Sequence, residues 1–252
     1  MIDVLGKTLL VTGAASGIGF ATAQLALKRG AQGVALLDLD SFALERATAS
    51  LGAGARAWVC DVANSSQVER AVEAAATWLG RLDAVVNAAG IDHVAALAEM
   101  QDSAWDRTLA INLSGPMRVC RAVHGHLRAA GGGTVVNIAS GAGLSPLSGR
   151  SAYCASKAGL IMFSKALAME LAPDNIRVNA VCPGAVDTPL FRTSYENAPD
   201  PQGALQSIRH RYAMRRVAGP EEIAEAVLYL SSDASSYVTG TAHAVDGGRT
   251  FH

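Results

Sequence analysis

A short, unbroken apolar run followed by a longer amphipathic stretch recurs from one end of this sequence to the other. The runs TLLVTG (8–13), VALLD (34–38), ARAWVCDV (55–62), LDAVVNAAG (82–90), GTVVNIAS (133–140), IRVNAVCPG (176–184) and TAHAVDGG (241–248) read as strands. Between them, 18–29, 42–50, 66–79, 105–129, 152–171 and 219–232 read as helices, with Pro116 requiring a kink or a local break in the fourth. Runs that are apolar throughout, rather than at alternate residues, need cover on both faces, as in a parallel sheet flanked by helices. Repeated strand–helix alternation therefore predicts an α/β fold, a doubly wound parallel β-sheet of about seven strands with helices on both faces. The length of 252 residues suits one such domain, 1–252, and no linker or repeat divides it. Half of the residues are hydrophobic and 17% are charged, enough apolar material for a large core. The more polar segment 189–216, with Pro199 and Pro201, follows the C-terminal end of a strand, where ligands bind in such sheets. It reads as an insertion that serves as a substrate lid.

The remaining totals exclude several classes of function. A net charge of −1 gives no global attraction to nucleic acid or to an anionic membrane. No run of about 18 apolar residues predicts a spanning helix. The N-terminus carries Asp3 before its first lysine, Lys7, and runs straight into a glycine turn, unlike a secretory signal. Cys60, Cys120, Cys154 and Cys182 are scattered without a CxxC pair, which predicts buried thiols in a reducing compartment and a cytoplasmic location. His93 has no companion His, Cys or carboxylate in a ligand spacing, so no metal site is expected.

TGAASGIG (12–19) places Gly13, Gly17 and Gly19 between the first strand and its helix. The first glycine permits a sharp turn, and the others permit close approach of backbone to a ligand and of helix to sheet. The following helix N-terminus offers free N–H groups to a pyrophosphate. The spacing is GxxxGxG, and no GK[ST] follows, which disfavours an ATP-type phosphate loop. Asp38 ends the second strand, where a carboxylate accepts both ribose hydroxyls of adenosine and repels a 2′-phosphate. With no Arg or Lys in the turn, NAD is expected over NADP.

SAYCASKAGL (151–160) is small and apolar except for Tyr153 and Lys157, four residues apart and so on one helix face. A phenol has an ordinary pKa near about 10, and a neighbouring ammonium stabilises its anion. A downward shift of about two to three units would bring Tyr153 into the range of general acid/base chemistry. The pair reads as a proton-transfer device.

These motifs, in this order and over essentially the whole chain, resemble the single-domain form of the short-chain dehydrogenase/reductase family, and the resemblance implies a Rossmann-like fold. TGAASGIG resembles its cofactor turn, Asp61-Val62 its adenine contact, and NAAG (87–90) its NNAG, with Ala88 in place of the second Asn. YCASK supplies the YxxxK, PGAVDTP (183–189) the segment near the nicotinamide, and VDGG (245–248) the C-terminal signature. The resemblance implies catalytic roles for four residues. Tyr153 is the general acid/base, Ser140 holds the same substrate oxygen, Lys157 binds the nicotinamide ribose and lowers the Tyr153 pKa, and Asn112 holds a relay water through a backbone kink. It implies cofactor contacts at Gly13, Ser16, Gly17, Ile18, Gly19, Asp38, Asp61 and Val62. Further contacts are implied at Asn87, Ala88, Gly90, Tyr153, Lys157, Pro183, Gly184, Val186 and Thr188. Asn87 has the alternative of tying neighbouring strands together, Ser140 that of a helix or turn cap, and Asn112 that of a buried polar residue satisfied by backbone.

The activity so implied is NAD-dependent interconversion of a secondary alcohol and a ketone, with a homotetramer as the expected assembly. Substrate choice falls to the loops after residues 90 and 140 and to 189–216, where Arg192, Arg209, His210, Arg211, Arg215 and Arg216 could hold an anion or form a solvated face. Arg150 and His93 are further candidates to line the pocket. An NADPH-dependent 3-oxoacyl-thioester (acyl carrier protein) reductase is the alternative, disfavoured by the uncharged turn and by the few cations in AGGGT (130–134) and PDNIR (173–177). A non-catalytic NAD-binding protein is a third reading, disfavoured because Asn112, Ser140, Tyr153 and Lys157 are all present.

Overall fold

The computed structural model describes residues 4–251. The first three residues, on which the reading of the N-terminus turned, lie outside the described residues. The strands are β1 (Thr8–Thr12), β2 (Gly33–Asp38), β3 (Ala55–Val59), β4 (Ala84–Asn87), β5 (Gly133–Ile138), β6 (Ile176–Pro183) and β7 (Ala242–Val245). They form a seven-stranded sheet in the order β3-β2-β1-β4-β5-β6-β7, with every neighbouring pair parallel. The helices are α1 (Gly17–Lys28), α2 (Ser41–Leu51), α3 (Ser65–Leu79), α4 (Asp102–Asn112), α5 (Ser114–Ala129) and α6 (Ser151–Leu171). After β6 come α7 (Pro189–Arg192), α8 (Pro201–Arg209) and α9 (Pro220–Ser231).

Successive strand side chains point to opposite faces. Leu9, Val11, Val34, Leu36, Val86 and Val136 pack in one core with Ala23 and Ala26 of α1, Leu44 of α2, and Ile223, Val227 and Leu228 of α9. Leu10, Ala35, Leu37, Val85, Val135 and Val178 pack in the other with Val68 and Val72 of α3, Val119 and Val123 of α5, and Leu171 of α6. A fully buried Val or Leu side chain contributes roughly 1.5–3 kcal/mol. This is why β1, β2, β4, β5 and β6 are apolar on both faces. The expectation of cover on both faces fails at the sheet edges. In β3, Val59 is exposed and Arg56 lies over the Trp58 ring, 5.5 Å from its centroid. In β7, His243 and Ala244 are exposed. An edge strand has a neighbour on one side only.

Three predicted elements end elsewhere. The run 55–62 leaves the sheet after Val59, and 82–90 leaves it after Asn87. The predicted helix 105–129 is two helices with the break at Leu113 (φ −120, ψ −57). Pro116 falls in the first turn of α5, where its missing N–H has no helical partner to lose. Short polar side chains start several helices: Asp40 accepts from the Ala43 N–H at 2.9 Å, Asn64 from Gln67 at 3.1 Å, and Asp200 from Gly203 at 3.0 Å. At α9 the Glu222 carboxylate accepts the Gly219 N–H at 2.8 Å.

Candidate active site

From β1 the chain builds outward to β3 on one side and, after crossing back, to β7 on the other. The C-terminal ends of β1 and β4 thus diverge at a switch point, and a cavity of about 760 Å³ opens there. Its floor is the glycine turn. Gly13 has φ +63, and a Cβ there would lie 2.6 Å from the Ala89 nitrogen; a Cβ on Gly19 would lie 2.2 Å from the Gly13 carbonyl oxygen. No side chain fits at either position, so backbone alone faces the cavity. The N-cap of α1, Ser16, makes no side-chain cap, and no acidic residue occupies the first turn. Its leading N–H groups and partial positive charge are therefore suited to a pyrophosphate.

Beside the turn, Asp38 is fixed by backbone. Its Oδ2 accepts the Ala15 N–H at 3.0 Å, and its Oδ1 accepts those of Leu39 at 2.7 Å and Asp40 at 3.2 Å. An ionised carboxylate has about four acceptor positions, so a hydroxyl partner can still be taken up from the cavity side. Cys60, Asp61 and Val62 line the wall next to it because β3 ends at Val59. These features fit an adenine dinucleotide.

At the opposite end stand Ser140, Tyr153 and Lys157. Ser140 ends the segment after β5, where its Oγ accepts the Ala142 N–H at 3.0 Å and its side chain also hydrogen-bonds the Tyr153 phenol. It is thus both the turn cap and a partner of the tyrosine. Tyr153 and Lys157 sit one turn apart on α6, with the ammonium 5.7 Å from the ring centroid. Tyr153 is half-buried as a residue, while its hydroxyl is enclosed by protein atoms. Lys157 is buried, and its Nζ donates to the Ile138 carbonyl at 2.8 Å.

In the cofactor-free protein the Tyr153 pKa moves in the direction opposite to the expected lowering. Burial pushes the phenol up to about 12 against the opposing pull of the Ser140 hydrogen bond. Burial likewise pulls Lys157 down to about 8. In a low-dielectric wall each group favours its neutral form.

The other predicted contacts also meet at the cavity. Gly17 and Ile18 lie in the turn, Ala88 and Gly90 follow β4, and Pro183, Gly184, Val186 and Thr188 follow β6. Two predicted residues do not line it. Asn87 is buried within β4, and its Nδ2 donates to Asn137 Oδ1 on β5 at 2.8 Å, so it ties neighbouring strands together. Asn112 is fully buried behind the wall, where it accepts the Ile91 N–H at 2.9 Å and donates to the Ile91 carbonyl at 2.8 Å and to Ser156 Oγ at 3.1 Å. Of the two further pocket candidates, Arg150 lines the cavity and His93 does not.

Two of the five lid arginines are engaged elsewhere. Arg192 is paired with Asp187 and Arg216 with Glu222, while Arg211 lines the cavity. Arg249 and Asp92 are among the lining residues that the sequence reading did not single out. Arg249, near the C-terminus, donates to the carbonyls of Ser145 at 2.9 Å and Pro146 at 3.1 Å, a pairing across about a hundred residues that no local pattern announces. Asp92 lies two residues beyond the NAAG turn and carries no motif of its own.

A glycine-lined dinucleotide cradle opening onto a Ser–Tyr–Lys group defines a Rossmann-type oxidoreductase. Comparison with known proteins narrows this. Residues 13–250 match a family model described as enoyl-(acyl carrier protein) reductase. The chain is 42% identical to the D-threitol dehydrogenase of Mycolicibacterium smegmatis, over 97% of this chain and 93% of that one. It is 38% identical to a 3-oxoacyl-(acyl-carrier-protein) reductase of Thermotoga maritima, over 96% and 97%. Among solved structures, the 3-ketoacyl-(acyl-carrier-protein) reductase from Brucella melitensis complexed with NADH superposes with a TM-score of 0.90 at 33% identity, covering 100% of both chains. Levodione reductase superposes with a TM-score of 0.94 at 31% identity, covering 98% of each. The chain belongs to the short-chain dehydrogenase/reductase family.

Proposed function

We propose that this protein catalyses the NAD-dependent interconversion of a secondary alcohol and a ketone, with Tyr153 as the general acid/base. The observation that carries the reading is the single cavity that holds the amide-fixed Asp38 carboxylate at one end and Ser140, Tyr153 and Lys157 at the other. Bound at the glycine turn, the cofactor supplies the hydride acceptor or donor. The Ser140 and Tyr153 hydroxyls hold the substrate oxygen. In oxidation, the carbinol carbon gives up a hydride while its oxygen gives up a proton to Tyr153; reduction reverses both transfers. A phenol pushed up to about 12 stays protonated, which is the form that reduction uses. Oxidation needs the phenolate, and cationic charge from Lys157 and from an oxidised nicotinamide ring favours it. Lys157 would bind the nicotinamide ribose, and Asn112, at the α4–α5 break, would hold a relay water.

The chain works on this reading as one dinucleotide-binding and catalytic domain, 1–252, with 189–216 as its lid. Ala204, Ser207 and Ile208 of α8 reach the cavity, which supports the lid assignment. The buried Cys60, Cys120 and Cys182, none of them in a disulfide, support a cytoplasmic location. A homotetramer is supported by apolar surface on α6 and by the open edge at β7. Among the described residues no helix is long and apolar enough to cross a membrane.

The test is NADH formation from NAD⁺ with a panel of secondary alcohols. Tyr153→Phe is expected to lose about 10²- to 10⁴-fold in kcat while still binding NADH. Turnover with NADP⁺ alone would overturn the cofactor assignment. NADPH-dependent reduction of a 3-oxoacyl thioester without alcohol oxidation would favour the reductase alternative.

A further inference from the structure

The loop after β4 and the first turn of α6 meet at an ion pair in the cavity wall. Arg150, the residue before α6, donates through Nη1 to Asp92 Oδ2. The side chains of Arg150 and Asp92 are only 20% and 9% exposed, yet both residues line the same cavity as Ser140 and Tyr153. The two segments are tied again where the Ala95 N–H donates to the Gly149 carbonyl at 2.9 Å. The Asp92 charge is felt at both Tyr153 and Lys157, so the pair lies close to the reacting end of the cavity.

Asp92 Oδ1 itself is buried, with the His93 backbone N–H close to the carboxylate but no hydrogen bond of normal geometry, so the rest of the pair is what the cavity can reach. Arg150 offers five N–H donors in all, of which the pair with Asp92 uses the Nη1 side. A buried carboxylate oxygen left without a donor costs free energy, and burial accordingly lifts the Asp92 pKa. A hydroxyl group both donates and accepts, so it complements a carboxylate and a guanidinium side by side. An alkyl group complements neither. A carboxylate would be repelled by Asp92, which already neutralises Arg150.

We propose that Asp92 and Arg150 form a hydroxyl-reading subsite, and that the substrate is a neutral polyhydric alcohol carrying a second hydroxyl next to the reacting carbinol. The inference rests on the alcohol-oxidising reading above and names its substrate class. Arg211 also lines the cavity and has no ionic partner among the described residues. It is the group through which an anionic substrate would compete with this assignment.

Binding of butane-2,3-diol, butan-2-ol and 3-hydroxybutyrate to the NAD⁺ complex of Tyr153→Phe, followed by ligand-observed NMR titration, tests the subsite without turnover. A hydrogen bond to a charged group corresponds to roughly 10- to 100-fold in affinity, so the diol is expected to bind tighter than either competitor by about that factor. Adding Asp92→Asn should shrink the diol preference and raise 3-hydroxybutyrate affinity, because Arg150 is then unbalanced. Adding Arg150→Lys keeps the charge pair and removes the fork, and should shrink the preference without raising the affinity for the anion. Equal binding of all three ligands, tightest binding of 3-hydroxybutyrate, or a diol preference unchanged in both variants would overturn the proposal. NADH formation from the diol by the parent enzyme is read separately. A binding preference with no NADH formed would leave the subsite standing and sink the dehydrogenase reading.

Discussion

Tyr153 and Lys157 occupy one face of α6, and their burial acts on them in opposite senses, raising the phenol to about 12 and lowering the ammonium to about 8. The lysine shift has a consequence for stability. From about pH 8 to about pH 10.5, the folded cofactor-free protein has lost a proton that the unfolded chain still holds. Stability rises with pH wherever the unfolded state binds more protons. Lys157→Met removes that contribution, so the parent should gain stability relative to the variant as pH rises through this window. Urea denaturation of both proteins at either end of the window measures it. A constant difference would mean that Lys157 titrates normally when folded. The pairing of Tyr153 with Lys157 was legible because four residues make one helical turn. The direction of their shifts was not, because burial is set by β5, β6 and the loops packed over α6. Asp38 was legible as the acid ending a strand, whereas the three backbone amides that fix it belong to a turn conformation.

At the scale of elements, the strand–helix alternation gave the order of the sheet's parts, and the disagreements gather where the chain bends toward the cavity. The runs 55–62 and 82–90 stay apolar past the end of the sheet because Cys60 and Val62, and Ala88 and Ala89, continue into the cavity wall. Composition cannot distinguish a residue buried between helices from one lining an enclosed site. The α4–α5 break was anticipated from Pro116, but the interruption lies at Leu113, next to Asn112. Asn112 satisfies both backbone groups of Ile91, the residue that carries the chain from the NAAG turn to Asp92. Asn112→Ala would leave the part-buried N–H and carbonyl of Ile91 without their partners, at up to about 1–3 kcal/mol for each. A destabilisation of roughly 2–6 kcal/mol is expected in chemical denaturation. A change below about 0.5 kcal/mol would show that the loop after β4 does not depend on this side chain.

At the scale of the whole molecule, the surface is uneven. Three layers bury nearly all the strand side chains, yet the outer face of α6 exposes Ala155, Ala158, Met162, Ala166 and Met169, spaced as one helical stripe, with Met169 82% exposed. Small residues interleaved with methionines suit close approach of a second helix, and an exposed apolar stripe of this kind marks an association face. At the edge of the sheet, β7 leaves one side of its backbone without a strand partner among the described residues. Two separate faces, each used about its own two-fold axis, generate a dimer of dimers, whereas one face alone stops at a dimer. A two-fold axis through the α6 stripe would bring Met162 near its own copy, so Met162→Glu would set like charges against each other at that interface alone. Light scattering is expected to show four chains for the parent and two for Met162→Glu, because the β7 contact is untouched. A parent that runs as a dimer, with Met162→Glu reducing it to a monomer, would confine association to α6. A mass unchanged by the substitution would mean that the stripe faces solvent in the assembly.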